Sequence, residues 1–145
     1  MKARKTIAVV ISIVAMMAVA VKVAAQAELS SIPLDPAARI LQQGRVVVPA
    51  NAGSSATVSV PGRGIFSIDF AVQPGNTLLL MLLTDAQYQA VLAGQTPQGN
   101  PLIRQNVDGV ASVNYTLDPG VYDIFFISSS PNGIQVVYRG TWRPL

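Results

Sequence analysis

The sequence predicts a mainly β protein: an antiparallel β-sandwich of about eight strands with one short inserted helix, behind a single apolar N-terminal helix. Three observations carry this. From Arg45 onward apolar and polar residues alternate with period two, the signature of strands with one buried face. Breaks rich in Gly, Pro, Asn and Asp interrupt that pattern at intervals of about ten residues. The long apolar run TIAVVISIVAMMAVAV (6–21) lies at the amino end, and it raises the mean hydropathy to +0.43, high for a soluble domain. The 145 residues hold one domain and a leader, not two ordinary domains.

The leader comes first, over residues 1–27. Lys2, Arg4 and Lys5 precede the apolar run, and Ala25-Gln26-Ala27 precedes Glu28. This matches a secretory signal with an A-x-A cleavage site. A retained transmembrane anchor is the second reading. Residues 6–25 reach the roughly 20 apolar residues a spanning helix needs, provided Lys22 snorkels to the headgroups. In both readings the positive-inside rule keeps the amino end in the cytoplasm and sends the rest across. The retained, single-pass anchor is our main expectation. On it Ala8, Ser12, Ala15 and Ala18 form a stripe of small residues that lets a partner helix approach closely. The same alanines also suit a signal peptide.

Residues 28–44 read as a tether with a short helix. Asp35-Pro36 supplies N-cap and N1, Ala37, Arg39 and Leu41 continue the helix, and Gly44 stops it. At about two turns it is stable only if packed on something. The sandwich domain is expected over 45–145. Val46–Val48, Ala56–Val60 and Phe66–Val72 are strands, with turns at 49–55 and 61–64. Residues 77–83 (TLLLMLL) are apolar on both sides, as in a strand covered on both faces. Thr84 and Gln87 form a capping box, opening a helix with Tyr88, Val91 and Leu92 on its inner stripe and Gly94 at its end.

Pro101–Val107 is a weaker strand, placed at an edge by its proline. Asp108-Gly109 signals a hairpin turn into the best-specified stretch, VNYTLDPGVYDIFFI (113–127). Ala111, Val113, Tyr115 and Leu117 alternate with polar residues, Asp118-Pro119-Gly120 breaks the run, and Tyr122, Ile124 and Phe126 resume it. This is a β-hairpin or a tight sheet-to-sheet corner. Ile134, Val136 and Tyr138 form the last strand, with Trp142 and Arg143 near its end.

Composition excludes several functions. The sequence contains no Cys and no His, so it has no disulfide framework, no thiol nucleophile, no His-based metal site and no Ser-His-Asp triad. The net charge of +3 is a property of the leader: from Glu28 onward six Arg face seven Asp and Glu. A nucleic-acid interface needs basic residues clustered on the folded domain, so nucleic acid is not an expected partner.

Two segments resemble known sandwiches. LLTDAQYQAVLAGQ (82–95), a strand running into a capped helix with an inner Tyr, and VNYTLDPGVYDIFFIS (113–128), with Leu117, Pro119, Gly120 and Tyr122 at its corner, are similar to GOLD-like and bacterial pre-peptidase C-terminal-type β-sandwich domains. The resemblance spans about Arg45 to Arg143 and implies a jelly-roll-like binding module without catalytic residues. Two features depart from the eukaryotic secretory-pathway members: there is no cysteine pair, and the hydrophobic segment precedes the domain. A bacterial envelope protein is the better match, placed in the cytoplasmic membrane with its C-terminal domain in the periplasm or outside.

No catalytic, cofactor-binding or metal-binding residues stand out. Asp69, Asp85, Asp108, Asp118 and Asp123 show no calcium-loop spacing. Asp123 and Arg139 are expected to face each other as a surface ion pair. Asn114-Tyr115-Thr116 is formally a glycosylation sequon, though in mid-strand. Arg63, Trp142 and Arg143 are the most interface-like set, Trp and Arg being favoured anchors; alternatively Trp142 closes one end of the sandwich. The expected function is a non-catalytic, membrane-anchored accessory subunit of a larger membrane protein complex, with complex subunits and the lipid bilayer as partners. The alternative is a secreted or periplasmic polysaccharide- or peptide-binding module released by cleavage.

Overall fold

The computed structural model describes residues 29–145. The leader stripe Ala8, Ser12, Ala15 and Ala18 therefore lies outside the described residues. Among these residues no helix is long and apolar enough to cross a membrane.

Residues 39–145 form eight strands and one helix: β1 (Arg39–Val48), β2 (Gly53–Val60), β3 (Gly64–Val72), β4 (Thr77–Thr84), α1 (Asp85–Leu92), β5 (Ile103–Asp108), β6 (Val110–Leu117), β7 (Gly120–Ile127) and β8 (Ile134–Pro144). They build two four-stranded sheets, ordered β1-β8-β3-β6 and β2-β7-β4-β5, with every pairing antiparallel. The chain changes sheet at every connection except β4 to β5, which is the jelly-roll arrangement of two Greek keys.

The period-two pattern decides what goes between the sheets. Phe66, Ile68, Phe70 and Val72 of β3 meet Leu78, Leu80 and Leu82 of β4, Ile124 and Phe126 of β7, and Val136 and Tyr138 of β8 in one core. Each fully buried side chain of this size contributes about 1.5–3 kcal/mol. β4 is apolar on both sides because its outer face is covered too: Leu83 is buried, and Met81 and Leu83 lie beneath α1 and the 96–101 loop.

Three expectations are corrected. Residues 35–44 do not form a helix. Asp35 makes only a turn, accepting the Ala37 N–H at 2.9 Å on Oδ1 and the Ala38 N–H at 2.9 Å on its carbonyl. The chain then enters β1 at Arg39, ahead of the expected domain start at Arg45, and pairs with β8 from Arg39↔Trp142 to Val48↔Ile134. A two-turn helix has almost no intrinsic stability, whereas β8 offers a full ladder of hydrogen bonds. Second, Asp108-Gly109 is not a hairpin turn, since β5 and β6 belong to different sheets. Gly109 takes φ +58° there, and its carbonyl accepts the Val72 N–H at 2.9 Å. Third, Asp123 and Arg139 do not meet, for β7 and β8 also lie in different sheets. The stretch 113–127 is accordingly a sheet-to-sheet corner, fastened by a hydrogen bond from the Tyr122 hydroxyl to the Asp118 carbonyl at 2.8 Å.

Candidate functional site

The outer face of the first sheet is a ladder of side chains from β8, β3 and β6, read in rows across the strands. Val137, Ala71 and Val110 form an apolar row, followed by Arg139, Asp69 and Ser112, then Thr141, Ser67 and Asn114, and last Arg143, Ile65 and Thr116. The N-terminal segment 29–38 crosses this face as a strap. Leu29 and Ile32 pack on Ala71 and Val137. One row further, Arg139 donates to the Ile32 carbonyl at 3.0 Å and pairs with Asp69 at 2.7 Å, with side chains only 13% and 8% exposed. Asp69 also accepts the Ser112 hydroxyl. At the far end Asp35 lies 3.4 Å from the Arg143 Nε.

Between the strap and β6 this leaves a groove of about 400 Å³, lined by Asp35, Ile65, Ser67, Asn114, Tyr115, Thr116 and Arg143. Its chemistry differs from that of the neighbouring row. Asp69, Arg139 and Ser112 satisfy one another, whereas the Ser67, Asn114 and Thr116 side chains have no hydrogen-bond partner among the described residues. Ser67, Thr116 and Asn114 therefore offer two hydroxyls and a carboxamide beside one acidic and one basic group.

Arg63, Trp142 and Arg143 occupy three different settings. Trp142 is half-buried against the core: its Nε1 donates to the Gly62 carbonyl at 3.0 Å, and the Arg39 guanidinium stacks 5.2 Å from the ring centroid. Gly64 makes this fit possible, because a Cβ there would run into the Arg143 carbonyl and the Trp142 ring. Arg63 stands at the exposed end of the sandwich, 3.7 Å from Asp118. Arg143 alone lines the groove. Ser67, Asn114 and Thr116 were not singled out by sequence as binding residues. Their signal was present as short polar residues at solvent-facing alternate positions of β3 and β6, but the pairing of those strands was not legible.

A second polar constellation lies on the other sheet. Asp123 sits in a row with Thr57 and Leu83 and is fully buried. It accepts the Thr57 hydroxyl at 2.7 Å on Oδ1, while Oδ2 has no partner among the described residues. Burial pushes its carboxyl up from the ordinary range, and Asp85 adds to the rise against the lowering effect of Thr57. Among the described residues no group of three or more acidic side chains gathers to hold a metal ion.

No protein-family model matches the chain, and no curated protein sequence matches it. Solved structures do. The pre-peptidase C-terminal domain of a collagenase from Bacillus anthracis superposes with a TM-score of 0.54 at 11% identity, covering 70% of this chain and 89% of that one. The fold is of the pre-peptidase C-terminal type. The 113–128 corner motif implied this resemblance, and at this identity the likeness is one of fold. Looser superpositions, both with a TM-score of 0.40, are found with two carbohydrate-binding modules. One is the CBM36-1 domain of a multidomain xylanase from the hindgut metagenome of Trinervitermes trinervoides, at 11% identity, with 74% of this chain and 98% of that one covered. The other is the C-terminal CBM6 of LamC, a marine laminarinase from Zobellia galactanivorans, at 16% identity, with 73% and 90% covered.

Proposed function

We propose that this protein is a non-catalytic binding module that works outside the cytoplasm and holds a polysaccharide across the outer face of its first sheet. One observation carries the reading: the groove presents Ser67, Asn114 and Thr116 without partners among the described residues, beside the Asp35–Arg143 pair. Polar side chains left unpaired by the fold direct their hydrogen bonds to water or to a ligand, and a sugar chain matches them with alternating donors and acceptors. An extended peptide would instead pair its backbone along a strand edge, whereas this groove lies over the face of the sheet.

A sequence without His or Cys supports a non-catalytic role. The leader supports export, whether it is cleaved after Ala27 or retained as an anchor. Membership of a larger membrane complex, through Ala8, Ser12, Ala15 and Ala18, rests on the leader sequence alone, so the binding module is our main reading.

Affinity electrophoresis through gels containing xylan, laminarin, dextran or polygalacturonate tests it. We expect retardation by at least one polymer. The double variant Ser67→Ala/Asn114→Ala is expected to lose that retardation with its melting temperature unchanged, since neither side chain holds the fold together. Free migration of the wild type in every gel would refute the reading, and undiminished retardation of the double variant would move the site away from this groove.

A further inference from the structure

The two ion pairs on the outer face of the first sheet are unlike each other. Two nitrogens of Arg139 converge on the Asp69 Oδ2, Nε at 2.8 Å and a terminal nitrogen at 2.7 Å, and both side chains are nearly buried. Arg143 and Asp35 approach no closer than 3.4 Å, make no hydrogen bond, and are 44% and 47% exposed. The first has the geometry of a structural clamp. The second is exposed and screened by solvent, so exchanging its carboxylate for another costs little.

Among the described residues Arg143 is also the one cation lining the groove. Arginine is the side chain best matched to a carboxylate, which it grips with two parallel N–H donors. Thr116 lies in the same row as Arg143, across Ile65, and Ser67 and Asn114 lie in the next row, roughly 7 Å along the strands. A carboxylate on Arg143 thus brings the hydroxyls of its own sugar ring and of the neighbouring ring over these three unpartnered side chains. Asp35 is held in place by its own turn, through the Ala37 N–H on Oδ1, so it presents its carboxylate to Arg143 whenever no other does.

We infer that Arg143 is a carboxylate subsite, filled by Asp35 in the free protein, and that the ligand is an acidic polysaccharide whose uronate group displaces Asp35. This deepens the binding-module reading and rests on it.

The test is calorimetric titration of the full chain with oligogalacturonate and with its methyl ester, in which each carboxylate is replaced by a neutral ester. The wild type is expected to bind the acid roughly tenfold more tightly, the worth of one charge-assisted contact. Arg143→Gln is expected to erase that preference while still binding the ester. Asp35→Asn retains the acceptor for the Ala37 N–H, so the turn survives; it is expected to tighten acid binding several-fold relative to ester binding. A purely structural Asp35 would instead lower the melting temperature without altering acid-over-ester selectivity. Equal affinity for acid and ester, or a preference that survives Arg143→Gln, overturns the carboxylate subsite and leaves the groove reading standing. Unchanged acid affinity in Asp35→Asn overturns Asp35 as the resident carboxylate. Binding of neither sugar, with tight binding of oligoglutamate, overturns the polysaccharide reading together with this one.

Discussion

A single carboxyl shows how far burial overrides residue type. Asp123 was expected on the surface because it alternates with Tyr122 and Ile124, and the alternation itself is correct: it does point away from the core. What lies outside is α1, not water, and the side chain ends fully buried with one oxygen unpartnered. Its carboxyl is raised, chiefly by burial. The sign of the linkage follows. Below the ordinary carboxylate range, about pH 4, the group is protonated in both folded and unfolded chains, and its contribution is at its best. As the pH rises, the unfolded chain loses its proton first, and stability falls until the folded group ionises too. Asp123→Asn keeps the acceptor for Thr57 and removes the ionisable group. The variant should gain on the order of 1 kcal/mol at pH 7 and little at pH 4, read as urea midpoints across that range. An advantage of the variant over the wild type that does not grow between pH 4 and pH 7 would contradict this account.

Among the elements, α1 is the one most completely foreseen. Thr84 and Gln87 form the reciprocal capping box read from the sequence, and Tyr88 turns inward, bonding Ser55 at 2.6 Å and meeting Phe125 edge to face. Leu92, expected on the inner stripe, is 63% exposed. In its place the buried helical residue is Gln87. The Gln87 amide accepts the Thr84 N–H on Oε1 and donates to the Gln98 and Asn100 carbonyls at 3.2 and 2.9 Å. It therefore joins the helix start to the loop before β5. Thr84→Ala should cost about 1 kcal/mol, the loss of a cap. Gln87→Ala should cost more, about 1–3 kcal/mol, because it strands two carbonyls and an N–H. It should also speed amide hydrogen exchange across residues 95–102, which Thr84→Ala should leave nearly unchanged. Equal exchange in the two variants would count against the latch.

The strands beyond α1 were legible because their signals are local: alternation, the capped turn, the Pro-Gly break. Partner choice was not, since Asp108-Gly109 and Asp118-Pro119 turn the chain equally well within a sheet or between sheets. Arg39–Leu41 failed for the same reason, because the partner that makes them a strand, β8, lies about a hundred residues away.

At the scale of the molecule, the strap decides both stability and shape. The residues read as a loose tether run across the first sheet, anchored by Leu29 and Ile32 on Ala71 and Val137 and by Arg139 on the Ile32 carbonyl. Arg139 thus serves twice, neutralising buried Asp69 and holding one wall of the groove, although it does not line the groove itself. Replacing one partner of a buried pair leaves an uncompensated charge, a cost of about 3–5 kcal/mol. That is a large share of the 5–15 kcal/mol that a domain has in total. Arg139→Met should lower the urea midpoint accordingly, while Arg143→Gln, at an exposed pair, should move it by less than about 1 kcal/mol. The second variant Arg139→Met/Asp69→Leu removes the stranded charge and should recover most of the stability. It does not restore the hydrogen bond to Ile32. If the strap shapes the groove, the double variant stays folded yet loses retention on polysaccharide gels, and proteolysis between residues 33 and 38 accelerates. Full retention by the stable double variant would mean that β3, β6 and Arg143 hold the ligand without the strap.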